Sequence, residues 1–95
     1  MLTSKQRSAL KATAHKLDAI FQLGKNGITP ELTQAIDDAL EARELIKVSV
    51  LENCANAPSE AAEILSERTR SEVVQVIGRK IILFRQSKKA SKILK

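Results

Sequence analysis

The stretch that most constrains this chain runs from Thr29 to Leu40. Thr is a good N-cap, and Pro30 suits the first helical position because the N–H it lacks would be unpaired there. Leu32, Ala35, Ile36, Ala39 and Leu40 then follow the i, i+3, i+4, i+7, i+8 spacing of one apolar helical stripe. Glu31, Asp37, Asp38 and Glu41 fall on the other side of the helix. Such a stripe needs an apolar surface to lie on, and the flanking segments supply it. Ala19 to Leu23 is a short apolar run ended by Gly24, which predicts a strand. In Leu45 to Leu51, Ile46, Val48 and Val50 share one face while Lys47 and Ser49 share the other, which predicts a strand buried on one side.

The remaining elements follow the same logic. Thr3 and Gln6 have the spacing of a capping box, so a helix starts near Thr3, with Leu10, Thr13, Ala14 and Leu17 toward the core. Arg7, Lys11 and His15, four residues apart, form a second, cationic stripe on it. A third helix is predicted from about Pro58 to Arg68, with Ala61, Ile64 and Leu65 as its apolar stripe. Glu72 to Ile77 and Lys80 to Arg85 read as strands joined by a two-residue Gly78-Arg79 hairpin. The order α-β-α-β-α-β-β predicts an α/β two-layer sandwich with a mixed four-stranded sheet. No repeat or linker divides residues 1–86, so they read as one domain, and residues 87–95 read as a basic C-terminal tail.

Several function classes are disfavoured. No run approaches the ~20 apolar residues of a membrane span. The N-terminus has no apolar signal core, so a cytoplasmic location and no membrane partner are expected. One cysteine, Cys54, permits no internal disulfide, and Cys54 with the single histidine, His15, cannot complete a tetrahedral metal shell. No nucleophile motif surrounds either residue. The carboxylates Asp37, Asp38 and Glu41 read as a solvated helix face. No metal, cofactor, small-molecule substrate or catalytic residue is therefore expected.

Charge is more informative. Residues 1–27 hold five bases and one acid, residues 28–72 hold four bases and ten acids, and residues 73–95 hold seven bases and no acid, for a net charge of +5. If the two basic ends meet in the fold, one side of the molecule suits a polyanion. Gly24-Lys25-Asn26-Gly27 lies between a strand and a helix N-terminus, where free N–H groups and a partial positive charge attract phosphate. Glycines let the backbone approach a ligand, Lys25 adds charge, and Asn26 both donates and accepts. GXXG loops of KH domains clamp single-stranded nucleic acid in this way. Arg7, Lys11, His15 and Lys16 precede the loop, and Arg79, Lys80 and Arg85 occupy the terminal hairpin. Phe21 and Phe84 are the only aromatic residues, so a stacking platform is poorly supported. Binding should rest on phosphate contacts and shape, with a marked salt dependence.

Four segments carry a resemblance to a known family. Leu10-Lys11-Ala12-Thr13-Ala14-His15-Lys16-Leu17 comes first, then Phe21-Gln22-Leu23-Gly24-Lys25-Asn26-Gly27-Ile28-Thr29. Glu44-Leu45-Ile46-Lys47-Val48 and the run from Val74 to Arg85 complete the set. Together they resemble the CRM domain over about residues 3 to 86, with Thr13 and Lys16 as departures around Ala14-His15. The length looks like the stand-alone bacterial YhbY-type form. The resemblance implies a fold like the C-terminal domain of bacterial translation initiation factor three. It also implies RNA binding, specifically to rRNA in precursors of the large ribosomal subunit, with a role in assembly. The family's GXXG positions fall on Gly24, Lys25, Asn26 and Gly27. Its basic surface falls on Lys11, Lys16, Lys47 and Arg85. A monomer is expected. The alternative is a protein-interaction module whose acidic face (Asp37, Asp38, Glu41) docks on a ribosomal or RNA-associated protein.

Overall fold

The computed structural model describes residues 2–86; the basic tail predicted at 87–95 lies outside the described residues. The elements are α1 (Ser4–Ala14), β1 (Phe21–Leu23), α2 (Pro30–Arg43), β2 (Leu45–Val50), α3 (Pro58–Thr69), β3 (Glu72–Ile77) and β4 (Lys80–Phe84). Their types and order are those the periodicities predict. Strand ends differ by one or two residues, and α1 ends at Ala14, short of the Leu17 that helical spacing placed on it. Ile20, for example, lies before β1 but already donates its N–H to the Lys47 carbonyl.

The sheet order is β1-β2-β4-β3. β1 and β2 pair in parallel because α2 carries the chain across between them. β3 and β4 form the antiparallel hairpin, and β4 inserts beside β2, also antiparallel. Gly78 has φ +55°, as the first central residue of a tight Gly-X hairpin requires. The two central strands, β2 and β4, are the most fully buried, while polar Gln22, Glu72 and Gln75 fall on the edge strands β1 and β3.

One sheet face carries α2 and α3, with Ile36, Leu40, Ala61 and Leu65 packed on Leu23, Ile46, Val48, Ile81 and Leu83. The other face carries α1, whose Leu10 and Ala14 pack on Leu45, Val74, Ile82 and Phe84. The expectation that β2 is buried on one side is therefore corrected: on the other face Leu45 is buried under α1, and Ser49 is buried with the Lys80 ammonium on its hydroxyl. Thr13, expected in the core, is exposed and donates its hydroxyl to the Ala9 carbonyl. A helix whose buried side chains are Leu10 and Ala14 presents too narrow an apolar stripe to include it. In α3 the core position expected for Ile64 falls to Ala62, and Ile64 is half-buried.

Both predicted N-caps are built as expected. Thr3 and Gln6 form the reciprocal capping box, and the Thr29 hydroxyl accepts the Leu32 N–H at 3.1 Å. Thr29→Ala removes that cap and is expected to cost about 1 kcal/mol. Thermal unfolding followed by circular dichroism should show a melting temperature lower by about 4–8 °C. α3, whose N-cap Ala57 makes no side-chain cap, gives no such handle.

Candidate nucleic-acid interface

Residues 24–27 form a turn closed by the Gly27 N–H donating to the Gly24 carbonyl at 2.9 Å. Lys25 and Asn26 are its two central residues and both are exposed. Gly27 has φ +64°, a left-handed conformation that glycine adopts without strain. The turn is not flush with the start of α2. Ile28 intervenes and packs on the core, and Thr29 already occupies the Leu32 N–H. The loop therefore offers a phosphate its own backbone, Lys25 and Asn26, with part of the helix terminus internally capped.

Neighbouring segments frame this turn. A Cβ added at Gly24 would lie 3.6 Å from the Asn53 side chain and from Leu51, and one at Gly27 would lie 3.7 Å from Asn56. The turn after β2 thus sits against the glycine loop, and the Leu51 N–H donates to the Leu23 carbonyl at 2.8 Å. The hairpin reaches the same end of the sheet. Val50 donates its N–H to the Arg79 carbonyl, and the Arg79 guanidinium donates back to the Val50 and Leu51 carbonyls at 2.8 and 2.9 Å. The hairpin arginine is thereby held beside the loop, with guanidinium donors left over.

A groove opens on the α1 face next to this end. Lys11, Ala14 and His15 of α1 and its cap line one wall; Lys47, Gln75, Ile77, Lys80 and Ile82 of the sheet line the rest. Its volume is about 220 Å³. Lys47 Nζ donates to the Leu17 carbonyl at 2.8 Å, and Lys80 Nζ to the Ser49 hydroxyl at 3.0 Å. The strand register places Gln22, Ser49, Lys80 and Ile77 in one row across the four strands. Lys16 is exposed in the turn just past the α1 cap.

Two of the predicted site residues are used elsewhere. Arg7 donates from Nη1 to the carbonyls of Val73 and Val74, at 2.6 and 2.8 Å, where β3 shifts register against β4. It pins α1 to the sheet. Arg85 lies on the opposite face, ion-paired with Asp37 and 3.6 Å from Glu41, and donates to the Thr69 carbonyl at 2.7 Å and the Asp37 carbonyl at 2.9 Å. It ties α2 to the end of α3. Both placements follow from the guanidinium fork, which satisfies several carbonyl or carboxylate oxygens at once. Asp37 and Glu41 are thereby engaged within the domain, which weakens their reading as a docking face. Ser49, Gln75 and Ile77 were not named as site residues from the sequence; the alternation of β2 put Ser49 on the face of Lys47, whereas Gln75 and Ile77 join them only through the pairing of β3 with β4. Among the described residues no group of three His, Cys, Asp or Glu side chains is placed to hold a metal ion. No helix among them is long and apolar enough to cross a membrane.

Known proteins place the chain. The model of the CRS1 / YhbY (CRM) domain matches residues 2–85. The Bacillus subtilis protein named Probable RNA-binding protein YqeI is 48% identical over 93 residues, covering 98% of this chain and 97% of that one. A Haemophilus influenzae protein named RNA-binding protein is 37% identical over 93 residues, covering 94% and 90%. The solution structure of SAV1595 from Staphylococcus aureus superposes with a TM-score of 0.82 at 53% identity, over 99% of this chain and 98% of that one. On the extent of that match and those identities, the chain belongs to the CRS1/YhbY (CRM) domain family.

Proposed function

We propose that this protein binds RNA, and that its target is rRNA in precursors of the large ribosomal subunit, whose assembly it assists as a cytoplasmic monomer without a covalent step. The carrying observation is convergence. Lys25 and Arg79 at one end of the sheet, and Lys11, Lys47 and Lys80 around the groove beside that end, come from four separate segments of the chain. Most acidic side chains ride on α2 and α3, across the sheet. Such two-sidedness suits a polyanion. The names of the relatives support RNA as that polyanion. The family resemblance supports the ribosomal target.

The test is titration of the purified protein with large-subunit rRNA fragments and with duplex DNA of equal charge, across a salt series. RNA should bind more tightly. If these five cations each neutralise one phosphate, the log–log salt slope on single-stranded RNA should be about −3.5, and Lys25→Ala should reduce its magnitude by about 0.7. Equal affinity for both polyanions, with Lys25→Ala behaving as the parent, would overturn the reading.

A further inference from the structure

We infer that the groove between α1 and the sheet is a slot for one unstacked nucleobase of single-stranded RNA. The inference rests on the RNA-binding reading and goes beyond it, since it names the form of RNA the domain takes.

The lining has two chemistries. Lys11, Lys47, Lys80 and His15 stand around it, and no lining side chain is acidic. Its floor is aliphatic, with Ile77 carrying the exposed surface and the nearly covered Ala14 and Ile82 behind it. Phosphate contacts alone give no reason for that floor. Ile77 is 51% exposed, more than any other large apolar side chain among the described residues, and it stands in a row with Lys80 and Ser49. An apolar surface ringed by cations fits a ligand with a flat hydrophobic body and an anionic link, which is a nucleotide. Gln75, half-buried in the wall, brings an amide that can both donate to and accept from a base edge.

The cations are positioned in advance. Lys47 is held by the Leu17 carbonyl and Lys80 by Ser49, and each ammonium keeps further donors for phosphate oxygens. Size selects the occupant. At about 220 Å³ the groove is smaller than a drug-sized pocket and suits a single base. A base stacked inside a duplex cannot enter it, whereas the bases of single strands and loops can be splayed out. The base would lie on isoleucine carbons, because neither Phe21 nor Phe84 lines the groove.

The test uses the full chain and a Gln75→Ala/Ile77→Ser double variant, which removes no charge. Ile77 is exposed and β3 is an edge strand, so the variant is expected to fold, and circular dichroism checks this. Each protein is titrated with a short single-stranded oligoribonucleotide and with a duplex RNA. The variant should lose about fivefold or more in affinity for the single strand and about twofold or less for the duplex, with an unchanged salt slope. A single strand carrying 2-aminopurine should brighten on binding the parent and not the variant, because the fluorophore leaves the stack. Equal losses on both RNAs, or no loss on either, would refute the slot; if Lys25→Ala still weakens binding in that case, the RNA-binding reading stands without it. A parent protein that binds neither RNA would overturn both.

Discussion

Gly27→Asp is expected to lower the affinity for RNA by about tenfold or more while the domain stays folded. The backbone at Gly27 is left-handed, and asparagine and aspartate are the residues that best tolerate it, at a cost of roughly 1–2 kcal/mol. An added Cβ meets nothing closer than the Asn56 side chain at 3.7 Å, an ordinary contact. The structural effect should therefore be modest. The electrostatic effect should not be, because the new carboxylate sits one residue from Asn26 and two from Lys25, facing any phosphate the turn receives and competing with it for the lysine. Gly27→Asn separates the two effects, since it imposes the same backbone demand without charge. Titration of both variants with one rRNA fragment, beside thermal unfolding, should show Asn close to the parent and Asp far from it. If Asn loses as much as Asp, the glycine serves backbone approach alone and like-charge repulsion is not the cause.

Arg85→Ala should act in the opposite sense, with a large loss of stability and little change in RNA affinity. The Arg85 side chain is 16% exposed and holds Asp37 and the Thr69 carbonyl across two helices. Removing one partner of a buried pair is strongly destabilising. Asp37 is 41% exposed and can recover some hydration, so the expected loss is about 2–3 kcal/mol, below the fully buried range. For a domain of this size that is a fall in melting temperature of about 10–20 °C. Arg85→Lys should not restore it, because a single ammonium cannot reproduce the fork that reaches a carboxylate and two carbonyls. RNA titration well below the transition should give parental affinity. A weaker but equally stable variant would return Arg85 to the binding surface.

These two residues show how far the chain can be read without its fold. The turn at Gly27 was legible because it is local: a glycine closing four residues between a strand and a capped helix. Arg85 was not, because in sequence it stands with Arg79 and Lys80 on one basic hairpin. Adjacent strand positions face opposite ways, and β4 sends Lys80 to the α1 face and Arg85 to the α2 and α3 face. Arg7 misled for a related reason. It shares the helical spacing of Lys11 and His15, yet its hydrogen-bond acceptor at Val73 is 66 residues away. The groove was half legible. Lys11, His15, Lys47 and Lys80 were each named as candidate binding residues, but nothing local said that they share a cavity, or that Ile77 and Gln75 complete it.

Periodicity, caps and turn glycines determined the element types, their order and the glycine loop, because each depends on residues a few positions apart. Strand pairing and the crossing of α1 over the sheet decided the rest. They inserted β4 beside β2, buried both faces of β2, and sorted the cations into those that hold the domain together and those left facing outward. A guanidinium has the same charge whether it meets a carbonyl of its own chain or a phosphate of another, and only the folded chain shows which of the two is within reach.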